Sequence, residues 1–256
     1  MRLGFGVDIG GTGIKAAPVD LDTGTPAAER VRVPTPHGAE PAAVCAVVGR
    51  LVADAGWKGP VGVAFPAVVQ RGVALTAANI DRRWIGTDVA AAVSAVTGTP
   101  TTVLNDADAA GLAEVRHGAG RGVPGVVVTL TLGTGIGSGL FADGRLVPNT
   151  EFGHLEIDGY DAESRVSESA REHEGLDRAE WTRRLEHYVR RLDALLWPDL
   201  VIFGGGGSKK AEQWLPRLDV RPALAVATLR NAAGIVGAAL ACAEAASAAS
   251  PDDSLT

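Results

Sequence analysis

The chain opens on a run of small and apolar positions, "RLGFGVDI", that breaks on a glycine pair. That pattern predicts a buried strand ending in a turn. "GIKAAPVDL" reads as its hairpin partner, and "AAERVRV", after the turn pair Thr23-Gly24, as a third strand. "AEPAAVCAVVGRLVADAG" carries apolar residues at helical spacing and stops on a glycine, as helices commonly do. "GPVGVAFPAVV" is a further strand. "TDVAAAVSAVTG" is a second helix with Thr87 as the expected N-cap, and "TTVLNDADAA" is a strand running into a helix.

The order of elements then starts again. "GVVVTLTLG" predicts a strand, "GIGSGLF" its partner, and "RLV", after "ADG", a short third strand. A polar helical region covers roughly 176–195. "PDLVIFGGGGSKK" is a strand opening into glycines and then a helix, and "LRNAAGIVGAALACAEAA" is a strongly apolar last helix. The chain therefore reads as a duplicated unit, a meander with a glycine hairpin followed by alternating helices and strands. That order predicts two α/β halves, each a mixed sheet covered by helices.

The repeat is sharpest at the turns, where "GTGI" occurs at 11–14 and again at 133–136. A glycine turn between strands is often a plain hairpin that needs positive φ. Two matching copies, with "FGGGG" as a third glycine cluster, raise a second reading. Backbone N–H groups from both halves, facing each other across a cleft, would close on an anion. The chain has no GxxxxGK[ST], and neither copy opens a helix in a βαβ unit, so the P-loop and the dinucleotide fingerprint are both excluded.

Composition narrows the class. At about 100–200 residues per domain, 256 residues make one large or two modest domains. The chain is 46% hydrophobic and 21% charged, ordinary for a soluble globular protein. A net charge of −6 argues against general binding to nucleic acid or an anionic membrane. Two distant cysteines and no CxxC pair exclude a zinc ribbon and a disulfide framework, and point to the cytoplasm. No signal peptide and no membrane span are expected. The small, polar stretch 246–256 is expected to be disordered.

Candidate chemistry falls at the turns. Asp8 stands beside the first glycine hairpin, where a carboxylate suits Mg²⁺, directly or through water. Lys15 has two readings, a phosphate contact and a solvated strand lysine. Asn105 and Asp106 sit at the end of a strand, where α/β proteins bind ligands. Asp106 is either an N-cap or a general base that takes a proton from an attacking hydroxyl. Asp108 is expected to be a plain cap or helix-start residue. "EFGHLEIDGYDAES" clusters Glu151, His154, Glu156 and Glu163. The cluster has three readings: a polyol site in which carboxylates accept sugar hydroxyls, a metal site, and an acidic surface loop. The charged run over 167–191 reads as a solvated helical face.

"DIGGTGIKAA", "LNDADAA", "TLGTGIGSGL", "EFGHLEI" and "VIFGGGGSK", in this order, resemble the ROK family (repressor, open reading frame, kinase), over about residues 3–245. The resemblance implies the α/β, actin-like (ribonuclease H-like) ATPase fold, with two similar lobes around a cleft. In this reading residues 1–106 form a small N-terminal lobe and 107–245 a larger one, and a C-terminal helix over about 228–247 is able to pack back on the first. The resemblance makes Asp106 the general base and Asn105, Glu151 and His154 sugar ligands. It places Asp8, Gly10, Gly11 and Thr12 in a first phosphate loop and Gly133, Thr134 and Gly135 in a second, with Gly205 and Gly206 near the nucleotide or distal phosphates. It also implies a homodimer.

Two departures matter. Many members carry a cysteine-rich zinc loop after this histidine motif. Here "LEIDGYDA" is short and lacks cysteine, so no zinc is expected, and Glu163 aligns with the sugar-binding glutamate beyond that loop. The DNA-binding helix-turn-helix of the family's repressor branch is not expected either. Within the family, "TAANIDRRW", "EIDGYDAES" and "FGGGGSKK" are most similar to the polyphosphate glucokinases of actinobacteria, which places Asn79 in the sugar-side loop. The implied activity is phosphorylation of the 6-hydroxyl of glucose by inorganic polyphosphate and/or ATP with Mg²⁺. A polyphosphate donor needs a local basic track, for which Lys209, Lys210, Arg83 and Arg121 are candidates. The alternatives are an ATP-only kinase for glucose, mannose or an N-acetylhexosamine, and a sugar-sensing regulator without its DNA-binding module.

Overall fold

The computed structural model describes residues 1–77 and 79–249; of the stretch expected to be disordered, 246–249 instead continues the last helix, and the rest lies outside the described residues. The chain divides into two units. One holds Met1–Ala113 together with the chain from Asn231 onward, and the other holds Glu114–Arg230. The division thus falls inside a helix that begins at Asp106, and the last helix groups with the first unit.

The first unit contains strands β1 (Leu3–Ile9), β2 (Ile14–Asp20), β3 (Thr25–Pro26), β4 (Val31–Val33), β5 (Val61–Phe65), β6 (Val69–Gln70), β7 (Val73–Ala74) and β8 (Thr101–Asn105). Helices α1 (Pro41–Asp54) and α2 (Val89–Thr97) lie between them, and α3 (Asp106–His117) spans the division. The second unit contains β9 (Val126–Leu132), β10 (Ile136–Ala142), β11 (Arg145–Val147), β12 (Glu156–Ile157), β13 (Tyr160–Asp161), β14 (Leu200–Gly204) and β15 (Ala223–Val226). Its helices are α4 (Glu163–Val166), α5 (Glu168–His173) and α6 (Arg178–Leu196), and α7 (Ala233–Ala249) returns to the first unit.

The two main sheets repeat one plan. The first runs β3-β2-β1-β5-β8, with β4 also on β2, and the second runs β11-β10-β9-β14-β15. In each, a long antiparallel hairpin (β1–β2, β9–β10) is extended by two parallel strands. The duplication legible in the sequence is therefore structural.

Alternation along β1 decides what each face of the first sheet meets. Phe5, Val7 and Ile9 join Val63 and Phe65 of β5 in a core with Val44 and Val48 of α1 and Val89 and Val93 of α2. Gly4, Gly6 and Asp8 have the opposite parity and face α7. A Cβ at Gly6 or at Gly62 would collide with the backbone carbonyls of Ile235 and Ala238, respectively. The missing side chains let α7 lie directly on the sheet. The stretch Arg230–Ala248 is long and apolar enough to cross a membrane, yet its Ile235, Val236, Ala238 and Ala239 are wholly buried in this contact.

In the second unit Val128, Leu130 and Leu132 of β9 pack with Trp181, Leu185, Tyr188, Val189 and Leu192 of α6. Trp214 stands edge-on to both Trp181 and Phe203, with centroids 5.4 and 5.1 Å apart. The run expected to be a solvated face thus supplies one wall of a core, and only its opposite side is charged. The N-cap of α2 is Asp88, whose side chain accepts the Ala91 N–H at 2.8 Å, and not Thr87, whose hydroxyl donates to the Arg83 carbonyl.

Candidate active site

The first glycine hairpin joins Ile9 to Ile14 through residues 10–13. Gly10 N–H donates to the Gly13 carbonyl (3.0 Å), and the Thr35 hydroxyl donates to the Gly10 carbonyl (2.5 Å). Gly11 lies against the backbone of Asn79, and both line an open cavity of about 530 Å³ with Thr35, His37 and Asp81. The structure thus brings a phosphate-loop candidate and a sugar-loop candidate together. Asp8 and Lys15 are cross-strand partners, and Lys15 Nζ donates to Asp8 Oδ2 at 2.7 Å. Lys15 is therefore neither a bare solvated lysine nor an unengaged phosphate contact. The Asp8 carboxylate also abuts Gly234 in the first turn of α7, where the helix dipole favours negative charge.

At the junction of β8 and α3 the capping residue is Asn105. Its Oδ1 accepts the N–H of Ala107 (2.8 Å) and of Asp108 (3.1 Å), and its Nδ2 donates to the Ala67 carbonyl. Asn105 is nearly buried, with only 8% of its surface exposed. Asp108, expected as a cap or a helix-start residue, is the latter, buried in the first turn. Asp106 is partly exposed, and its Oδ1 accepts the N–H of Ala107 at 2.8 Å.

In the second unit the matching hairpin, 133–135, joins Leu132 to Ile136, with Gly133 N–H donating to the Gly135 carbonyl (3.0 Å). It is held from two sides: Ser169 N–H donates to the Gly133 carbonyl, and Glu163 Oε2 accepts the Ile136 N–H (3.1 Å). The glycine cluster after β14 packs on the same spot. Gly205 has φ 78°, and a side chain there would run into the backbone of Leu132. Gly133, Thr134, Gly135 and Gly205 thus converge around the end of β9. The following segment, Gly206–Gln213, is a 3-10 stretch kinked at Lys210 (φ −121°, ψ 34°) rather than the expected α-helix. Lys209 and Lys210 are exposed, and no carboxylate pairs with either among the described residues.

Glu151, His154 and Glu163 form one cluster around a 3-10 turn, Phe152–His154. His154 Nδ1 lies 3.4 Å from Asp161 Oδ2 and 3.9 Å from Glu163 Oε1. Desolvation pushes the Glu151 carboxyl above the usual glutamate range; the His154 charge opposes this and the Glu163 charge adds to it. Burial pushes the Tyr188 phenol strongly up, and Glu163 adds again. Glu156 is exposed on β12, outside the cluster. The short loop after His154 is a tight hairpin, β12–β13, turning on Asp158 (φ 53°) and Gly159 (φ 80°).

Arg83, a track candidate, is held by carboxylates. Its guanidinium reaches Glu40 at 2.6 Å and Asp81 at 2.9 Å, and its hydrogen bonds draw the Asp81 carboxyl down to about 2. Arg121 is exposed in the second unit. Among the described residues no three His, Cys, Asp or Glu side chains converge as a metal-binding set. Mg²⁺ arriving with phosphate needs only one or two protein carboxylates, and the Asp8 carboxylate, paired with Lys15, has the chemistry for such a contact. The sequence reading passed over Thr35, Ser138, Asp161 and Tyr188. Ser138 is signalled only as the one hydroxyl in "GIGSG", which says nothing of its partners.

The ROK family model matches residues 4–173. A polyphosphate glucokinase of Mycobacterium tuberculosis is 49% identical over 241 residues, covering 94% of this chain and 91% of that relative. An inorganic polyphosphate/ATP-glucomannokinase from an Arthrobacter strain matches with a TM-score of 0.89 at 50% identity, covering 96% of this chain and 100% of that structure. A ROK family glucokinase from Streptomyces griseus, in complex with glucose and AMPPNP, gives 0.76 at 27% identity, covering 95% and 100%. By sequence over most of its length, and by the actin-like α/β plan that its two sheets repeat, the chain belongs to the ROK family.

Proposed function

We propose that this chain transfers a phosphoryl group from inorganic polyphosphate or ATP to the 6-hydroxyl of glucose. The observation that carries the reading is the division of labour at the start of α3. Asn105 makes the capping bonds, so the fold does not need the Asp106 carboxylate as the cap. A partly exposed carboxylate at a strand's end, beside a helix already capped, suits a general base. Asp106 accepts the proton of the 6-hydroxyl as that oxygen attacks the terminal phosphorus. A new P–O bond forms, the bridging P–O bond breaks, and the shortened polyphosphate or ADP leaves with the electron pair.

Glu151, His154 and Glu163 hold sugar hydroxyls, with Asn79 and the remaining N–H of Asn105 as further ligands. The two glycine hairpins, with Thr12 and Thr134 at their tips and Gly205 and Gly206 beside the second, offer N–H groups to phosphate oxygens. Mg²⁺, entering with the donor and held through Asp8, neutralises phosphate charge. Lys209 and Lys210, with Arg121, form the basic track. Arg83 contributes little to it, because two carboxylates already match its charge. The reading includes a homodimer in the cytoplasm, and the two free, buried cysteines are consistent with a reducing compartment.

The test is glucose 6-phosphate formation from nucleotide-free polyphosphate and Mg²⁺, with a KM that rises with salt. Lys209→Ala with Lys210→Ala should raise the KM for long polyphosphate more than that for ATP. No turnover without nucleotide would leave an ATP-only kinase, and no turnover with any donor would leave a sugar-sensing protein. Mannose is a second acceptor to try, because the Arthrobacter relative is a glucomannokinase.

A further inference from the structure

Glu151 sits in an uncommon backbone conformation, φ −117° and ψ 55°, between the end of β11 and a 3-10 turn. Its carbonyl accepts the His154 N–H of that turn at 3.0 Å, and a hydroxyl from β10 fastens the peptides on both sides of it. Ser138, on β10 and only 2% exposed, donates its Oγ–H to the Thr150 carbonyl at 2.6 Å. The same Oγ accepts the Phe152 N–H at 3.0 Å. These two groups belong to the peptide units on either side of Glu151. A hydroxyl is the smallest side chain that both donates and accepts, so one atom closes both ends of the residue. Tyr188, wholly buried on α6, adds a second fastening by donating its O–H to the Phe152 carbonyl at 3.1 Å.

We infer that Ser138 and Tyr188 are positioning residues that aim the Glu151 carboxylate at the acceptor sugar; this rests on the reading of Glu151 as a sugar ligand. Neither hydroxyl reaches the substrate, since both are consumed by backbone groups. Their effect passes through the direction of one carboxylate. Glu151 is surface-accessible and shares its surroundings with His154 and Glu163, so a small rotation changes which hydroxyl it meets. Ser138 also follows the second glycine hairpin by three residues on the same strand, which ties the direction of Glu151 to that hairpin.

The test compares Ser138→Ala, Tyr188→Phe, Glu151→Ala and the double variant Ser138→Ala with Glu151→Ala in the full chain. Glucose binding is measured by calorimetry, and KM for glucose and for polyphosphate by coupled assay. Loss of aim should weaken glucose binding about tenfold in each hydroxyl variant, since misplacements below 1 Å already matter at this scale. KM for polyphosphate should stay within about twofold, whereas general loosening of the unit would shift both substrates. In the Glu151→Ala background, Ser138→Ala should add less than about twofold. Unchanged glucose binding in the hydroxyl variants, or an equal loss with and without Glu151, overturns the inference while leaving Glu151 a ligand. Normal glucose binding by Glu151→Ala overturns both that reading and the inference. If Ser138→Ala does not fold, Tyr188→Phe, which deletes one atom, decides by the same criteria.

Discussion

Asp106→Asn keeps the size and shape of the side chain and removes its basicity. Because Asn105 provides the cap, with bonds of 2.8 and 3.1 Å to the first-turn N–H groups, the helix start does not depend on the charge at 106. The bond that Asp106 accepts from the Ala107 N–H at 2.8 Å can be accepted equally by an amide oxygen. What folding loses is one negative charge in the first turn, worth about 0.3–1 kcal/mol. At roughly 2–4 °C per kcal/mol for a chain of this size, Tm should fall by no more than about 4 °C. What catalysis loses is the general base, about 10²–10⁴ in kcat, equivalent to about 2.7–5.5 kcal/mol. The two effects separate cleanly. Glucose 6-phosphate production by coupled assay should collapse, while calorimetry should show glucose affinity changed by only a few-fold. A kcat within about threefold of the parent would remove Asp106 from the chemistry. A loss of kcat accompanied by a Tm drop beyond about 10 °C would mean that the charge serves the fold.

Three further outcomes are expected. Glu163→Ala removes both an acceptor from the Ile136 N–H and a neighbour of His154, so glucose affinity should fall by about 1–3 kcal/mol, and Glu156→Ala should change it far less; the reverse order would break the assignment across the shortened loop. Glu151→Gln should raise Tm at neutral pH. A carboxyl whose folded pKa is raised destabilises the fold once it ionises, so the advantage of the variant should vanish as pH falls below 4.5, the ordinary value; a Tm difference that persists in acid would refute the desolvation argument. Glu114, 3% exposed, accepts from Ala119 N–H (3.0 Å), Leu229 N–H (2.7 Å) and the Thr228 hydroxyl (3.2 Å). Glu114→Ala strands these donors and should cost about 3 kcal/mol, read as a Tm lower by roughly 6–12 °C, while a change under about 2 °C would show that water replaces the carboxylate.

Most of the elements were legible in the sequence because their signals are local. Apolar runs and their glycine turns marked β1, β2, β9 and β10, helical spacing marked α1, and apolar stretches marked α2 and α7. The repeated "GTGI" gave the duplication, since two like hairpins need like turns. Residue chemistry, together with the ordered motifs, pointed to Asp106 and to the cluster of Glu151, His154 and Glu163. The remaining features depend on partners far along the chain. That α7 lies on the first sheet follows from Gly6 and Gly62, whose absent side chains admit the carbonyls of Ile235 and Ala238; no local pattern records which backbone comes to fill that space. Asn105 rather than Asp108 caps α3 because the turn aims its amide at the first free N–H groups while Ala67 holds its other end. Arg83 is quenched by Glu40, which is distant in sequence. Nothing local marks Ser138 in its glycine-rich strand; its partners Thr150 and Phe152 come beside β10 only in the fold. Sequence by itself determined the elements and the chemistry available to them, because turn geometry and side-chain period act over a few residues. Which groups are spent on the fold and which remain for a substrate was decided by tertiary structure, because a hydrogen bond or ion pair between distant residues depends on where the folded chain brings its partners together.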